Sequence, residues 1–284
     1  MSSLTFPHSR AITAPPLPFD EWLASADERP RWVVPDLLRA DSFMLISGPP
    51  KSMKTYFVLS MAVALASGKS FGGWQAPDTE DLGPIFLIEE EGGSGNTADR
   101  FRAICNAMQV DPCDLTNRLY IYWKRSFHLD KEAFVHDLMS DIATAKPSLV
   151  IADPLFHLMS GDENKAEAIR PVVEAGQKIT TEGSSFALVH HTKKRIKDFV
   201  ARPDEMLRGS SAIAGAYDQH VYMQPASDKG GRVVHALRLG REDQARAETF
   251  VWQFAQDDQS VVSSLRLDRL EGHLTEFDAV KATS

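Results

Sequence analysis

Phe43-Met44-Leu45-Ile46-Ser47-Gly48-Pro49-Pro50-Lys51-Ser52-Met53-Lys54-Thr55 is the stretch that decides how this chain is read. An apolar run ends in a Gly/Pro turn, a Lys-Thr pair follows, and Tyr56-Phe57-Val58-Leu59-Ser60-Met61-Ala62-Val63-Ala64 then takes up helical spacing. The pattern predicts strand, loop and helix, the outline of a phosphate-binding loop. In such a loop backbone N–H groups and the positive end of the helix dipole surround a phosphate. Gly48, Pro49, Pro50, Lys51, Ser52 and Met53 would form the cradle, Lys54 would reach the β- and γ-phosphates, and the Thr55 hydroxyl would hold Mg2+. The pattern asks for a second glycine immediately before the lysine, where Met53 stands. Glycine there lets backbone approach phosphate without a Cβ. Met53 therefore either turns its side chain away or weakens the cradle, and a plain strand-turn-helix is the competing reading.

Moving downstream, Pro84-Ile85-Phe86-Leu87-Ile88 reads as a core strand running into Glu89-Glu90-Glu91-Gly92-Gly93. Carboxylates at the C-terminal end of a buried strand lie where open α/β sheets bind ligands. One of them could orient the water that attacks a γ-phosphate; the alternative is a solvated acidic loop. Ser148-Leu149-Val150-Ile151-Ala152-Asp153-Pro154 is a further apolar strand, and it ends in an aspartate, Asp153, suited to the Mg2+ shell beside the loop threonine. Ser184-Ser185-Phe186-Ala187-Leu188-Val189-His190-His191 is another. Its two histidines invite a zinc reading, but adjacent strand residues point to opposite faces. One histidine contacting a γ-phosphate and the other serving as a structural hydrogen-bonder is the better use.

Lys193, Lys194, Arg195, Lys197, Arg202 and Arg208 follow, a basic concentration in a chain of net charge −8. It suits a nucleic-acid backbone, with a solvated charged loop as the alternative. Helices are expected over residues 54–67, 96–108, 131–144 and 166–181, with a strand at 119–123. Residues 207–216 read as a tightly packed helix. Residues 217–223, 233–241 and 249–254 read as strands, the last two added antiparallel to the sheet. Residues 1–30 are rich in proline, with a short helix at Phe19–Leu23, and read either as a disordered tail or as an arm, anchored by Trp22 and Leu23, on a neighbouring subunit. A tail over residues 271–284 is expected to be mobile.

At 284 residues and 43% hydrophobic, the chain can bury a full core over residues 31–270. Cys105 and Cys113 form no C-x-x-C pair, which argues against disulfide and zinc scaffolds. No export signal or membrane span is read, so the expected place is the cytoplasm, without membrane association.

Taken in order, the P-loop, glutamate cluster, Asp-ending strand, His-His strand, basic loop, Arg208-Gly209-Ser210-Ser211 and late Gly240-Arg241 resemble the RecA-like P-loop ATPases. Within these the plasmid RepA-type hexameric replicative helicases and related phage and mobile-element ATPases are the most similar branch. The resemblance spans about residues 31–255. It implies an α/β core with a mostly parallel central sheet flanked by helices and C-terminal antiparallel strands. It also implies Lys54 and Thr55 as phosphate and Mg2+ ligands, Asp153 as the second metal carboxylate, Glu90 as the catalytic glutamate with Glu91 beside it, and His190 or His191 as the γ-phosphate sensor. Arg241 would be the arginine finger of a neighbouring subunit, with Arg238 and Arg208 as alternatives. The loops after Asp153 and His191 would touch single-stranded DNA in a homo-oligomeric ring, and ATP would be the fuel. The RepA pattern has an arginine soon after Arg-Gly-Ser-Ser, where this chain has Asp218. The expectation is an ATP-hydrolysing ring helicase; the rivals are an ATP-dependent loader that does not unwind and a DNA-binding module whose nucleotide site Met53 has disabled.

Overall fold

Six residues with no solvent-facing side, Phe43–Gly48, form β3 at the heart of the molecule. A strand buried on both faces reads as a continuous apolar run, and helices cover both sides of this one. The computed structural model describes residues 18–26, 31–91, 93–123, 126–192, 213, 215–229, 232–239, 246–256 and 262–269. The chain divides into two units, Met1–Arg31 and Trp32–Ser284. In the first, the described element is α1 (Phe19–Ala26), with Asp20 and Glu21 in its first turn, where carboxylates suit the helix dipole.

The second unit opens with the small antiparallel pair β1 (Trp32–Val34) and β2 (Leu38–Arg39). After β3 come α2 (Lys54–Ser67), β4 (Ile85–Glu89), α3 (Ser94–Met108), β5 (Leu119–Trp123), α4 (Glu132–Ala145), β6 (Leu149–Asp153), α5 (Ala166–Thr181) and β7 (Ser185–His191). β8 (Gln219–Lys229), β9 (Arg232–Leu239), β10 (Arg246–Gln256) and β11 (Val262–Arg269) complete the chain order. The main sheet runs β11-β10-β9-β8-β3-β7-β6-β4-β5. Its six strands from β8 to β5 are parallel, and β9, β10 and β11 extend it antiparallel. This is the α/β fold expected from the sequence, with β11 as a strand the sequence reading left out. Residues 207–212 and 214, expected in a helix, lie outside the described residues.

Alternation along each strand feeds two cores. Met44, Ile46, Leu87, Ile151 and Val189 join α2 and α3 on one face. Phe43, Leu45, Phe86, Ile88, Val150 and Leu188 join α4 and α5 on the other. α2 is buried from Phe57 to Ala66 and stops at Gly68, whose φ of 70° closes the helix with an N–H donated to the Ala64 carbonyl. Gly176 lets α5 lie directly on the sheet, since a Cβ there would sit 2.7 Å from the Phe186 ring. Register does the rest. Gly48 is opposite His191, and Glu89 is opposite Asp153, so the groups ending four parallel strands converge along one crevice. Among the described residues no helix is long and apolar enough to cross a membrane.

Candidate functional site

The loop from β3 to α2 takes the shape its glycine pattern demands, with non-glycine residues in the demanding places. Met53 has φ 65° and ψ 16°, and Lys51 also has φ 65°. A left-handed conformation costs a residue with a Cβ about 1–2 kcal/mol. Part of that is offset at Met53, whose side chain is half-buried against the α2-side core. Met53 thus holds a backbone conformation that glycine takes most easily, and its carbonyl starts α2 by accepting from the Phe57 N–H at 2.9 Å. At the loop's other end Gly48 is required by space, because a Cβ would meet the Met223 carbonyl oxygen at 2.3 Å.

Lys54 is folded into this loop. Its Nζ donates to the carbonyls of Gly48 and Pro49, each at 2.9 Å, and to Ser52 Oγ at 3.3 Å. Burial lowers its pKa to about 8, against the opposing pull of the Asp153 and Glu91 carboxylates.

Strand parity sorts the other candidates. Asp153 follows Ile151 by two residues, Glu89 follows Leu87 and His191 follows Val189, so all three emerge on the α2 side with Lys54. Glu89 accepts from the Thr97 hydroxyl at 3.2 Å. Asp153 is fully buried, and neither carboxylate oxygen makes a hydrogen bond of good geometry among the described residues. Burial pushes its pKa up to about 7; the Thr55 hydroxyl is close enough to pull it down, while Glu91 and Glu89 push it further up and Lys54 opposes them.

The glutamate cluster divides. Glu90 was expected to be catalytic, but its Oε1 accepts from the Phe127 N–H at 3.0 Å, and Phe127 belongs to the core on the opposite face. Glu91 is exposed, and its charge reaches both Lys54 and Asp153. The preference for Glu91 over Glu90 on the α2 side therefore rests on the bond that ties Glu90 to Phe127 and on the reach of the Glu91 charge to Lys54 and Asp153, both residues lying just past the end of β4.

His190 emerges on the α5 side, fully buried, with its Nδ1 4.0 Å from Glu163 Oε2. In register beside it, Ser47 Oγ and His220 Nε2 share a hydrogen bond of 2.7 Å. Of the two histidines, His191 is the one on the side of Lys54 and Asp153. The two histidines emerge on opposite faces of the sheet, as alternation along a strand requires, and among the described residues no group of three or more His, Cys, Asp or Glu is arranged to hold a metal.

Lys193, Lys194, Arg195, Lys197, Arg202, Arg208 and Arg241 lie outside the described residues, as does the side chain of Arg238. Two features escaped the sequence reading. Arg100 of α3 sets its guanidinium 5.3 Å over the ring of Tyr56, the residue after Thr55. Glu163, from a loop that reads as solvated, is buried against His190.

A family model described as an AAA domain matches residues 8–196, two thirds of the chain. The chain belongs to the AAA-domain family. The matched span takes in the P-loop, the three glutamates, Asp153 and both histidines. No curated protein matches the sequence. An AAA domain of this kind is a P-loop ATPase domain, and the site fits what such a domain carries. The buried oxygens of Asp153, without a hydrogen bond of good geometry among the described residues and close to the Thr55 hydroxyl, are hard oxygen donors of the type Mg2+ takes. The inward ammonium of Lys54 at a loop opening α2 suits a phosphate.

Proposed function

We propose that this AAA domain hydrolyses ATP with Mg2+ as one subunit of a RecA-like ring acting on single-stranded DNA, with replicative unwinding for a plasmid, phage or other mobile element as its use. The observation that carries the ATPase reading is the set of Lys54, Thr55, Asp153 and Glu91 gathered on one side of the parallel strand ends, beside a loop in which Lys51 and Met53 take left-handed backbone conformations. Mg2+, held by Thr55 and Asp153, would neutralise charge on the β- and γ-oxygens. Lys54 would exchange its three loop acceptors for phosphate oxygens, keeping the ammonium satisfied in both states. Glu91 would orient the attacking water and accept its proton, a carboxylate with access to solvent and with charge directed at the site. Glu90 would hold the 126–131 segment through the Phe127 amide. His191 would contact the γ-phosphate, and Arg241 of a neighbouring subunit would complete the charge.

The DNA, ring and helicase parts rest on the resemblance of the ordered motifs to RepA-type helicases and on the basic segment that follows His191. Their test is ATP turnover with and without single-stranded DNA, with strand displacement on a forked duplex and sedimentation with MgATP. Turnover stimulated by DNA, unwinding, and a ring-sized species are expected. Turnover without unwinding would favour a loader, and turnover indifferent to DNA would remove the nucleic-acid reading altogether.

A further inference from the structure

The buried Glu163–His190 contact has no place in the chemistry above, yet it sits where two functional segments meet. Glu163 belongs to the 154–165 segment that leaves Asp153 and leads into α5. His190 is the penultimate residue of β7, one step before His191. Carboxyl and imidazole are 7% and 0% exposed, and 4.0 Å apart. A carboxyl group is rarely buried in a surface loop without a task, because taking it out of water is costly unless a partner compensates.

From His190 the connection to the P-loop is short and each link is a bond. The N–H of Thr192, just beyond β7, donates to the Gly48 carbonyl at 3.1 Å. That same carbonyl accepts from Lys54 Nζ at 2.9 Å. When Lys54 turns to a phosphate, Gly48 loses one of its two donors, and the end of β7 is the element that shares the remaining bond. A shift there would reach His190, two residues back along the chain, and through it Glu163. The opposite direction holds equally, since coupling between two sites is reciprocal.

We infer that Glu163 is a positioning residue which, through His190, couples the 154–165 segment to the nucleotide state of the P-loop. The inference rests on the reading of Lys54 as a phosphate ligand. It needs no DNA: the two states are the inward Lys54 seen here and the phosphate-bound Lys54, and the element biased by both is the end of β7 with the Glu163–His190 contact.

The experiment is hydrogen exchange over peptides covering residues 154–168, with and without a non-hydrolysable ATP analogue and Mg2+, in the wild-type chain, Glu163→Gln and Glu163→Asp. Nucleotide affinity is measured by calorimetry on the same samples. The wild-type chain is expected to change its exchange in this segment by about tenfold on binding. Glu163→Gln should bind nucleotide within about threefold of wild type and lose most of that change. Glu163→Asp should recover part of it. Equal melting temperatures without nucleotide would separate this from a general loss of fold. Nucleotide bound with no change of exchange at 154–168, or a full response in Glu163→Gln, would overturn the coupling alone. No nucleotide binding by the wild-type chain would overturn the reading of the P-loop and this inference with it.

Discussion

The two sides of the same strand ends differ in how their polar groups are satisfied. On the α2 side Asp153, Glu89 and Glu91 bring like charges together near the buried ammonium of Lys54, and Asp153 has no well-formed bond among the described residues. On the α5 side Ser47 bonds His220, and Glu163 faces His190. The two sides are reached from neighbouring positions of one strand: Ser47 and Gly48, His190 and His191, Ala152 and Asp153. Under the proposed function the α2 side serves a ligand, while the α5 side pairs its polar groups with one another. Removing a group should therefore cost chemistry on the first, whereas on the second the loss of the Ser47–His220 bond should cost stability and leave turnover in place.

The largest effect should come from Lys54→Ala, which is expected to lower MgATP turnover by a hundredfold or more, about the scale of removing one transition-state donor. Glu91→Gln should cost about a hundredfold in kcat with nucleotide still bound, and Glu90→Gln less than about tenfold. The reverse order in a steady-state assay would return the catalytic role to Glu90 and show that its bond to the Phe127 amide does not remove it from the site. On the other side, His220→Ala should leave the Ser47 hydroxyl buried without its bond and destabilise the fold by about 1–3 kcal/mol in urea unfolding. Its KM for ATP should stay within about threefold of wild type; a collapse of turnover in the folded variant would erase the contrast between the sides.

A smaller effect is a pH dependence of the ligand-free chain. The folded state holds a proton on Asp153 up to about 7, whereas the unfolded carboxyl loses it near 3.8. The folded state therefore binds more protons between these values, and the stabilisation is full below about 4 and lost as pH rises through about 7. Asp153→Asn should flatten that part of the curve of unfolding free energy against pH, measured without Mg2+. An unchanged slope would mean that the carboxyl is not buried as described. The smallest effect should be Met53→Gly: relief of the left-handed backbone and loss of half-buried packing oppose each other, so nucleotide affinity should move by less than about threefold. A much larger gain would show the methionine obstructing the cradle.

The strand-loop-helix at Phe43–Ser67, the strands ending at Glu89, Asp153 and His191, and α5 were legible in the sequence because each is a long apolar run or a clean helical period with a sharp end. β11 was not, since Val262, Leu265 and Leu267 are separated by Ser263, Ser264 and Arg266, too mixed for either face to stand out. The Glu90–Phe127 amide bond, on which the preference for Glu91 rests, joins residues far apart in sequence, and no local pattern reports it. Glu163 sits among Ser160, Asp162, Asn164 and Lys165, a composition that reads as solvated, so its burial follows only from where β7 ends. The Arg100–Tyr56 stack needs α2 and α3 side by side before it exists at all.

The central claim is that the α2 side is a working ATP site despite Met53. Steady-state MgATP turnover by the purified chain, alongside a folded Lys54→Ala variant, tests it most directly. Turnover in the wild-type chain, lost by a hundredfold or more in the variant, is the predicted result. A wild-type chain that neither turns over ATP nor gains thermal stability with nucleotide would contradict it.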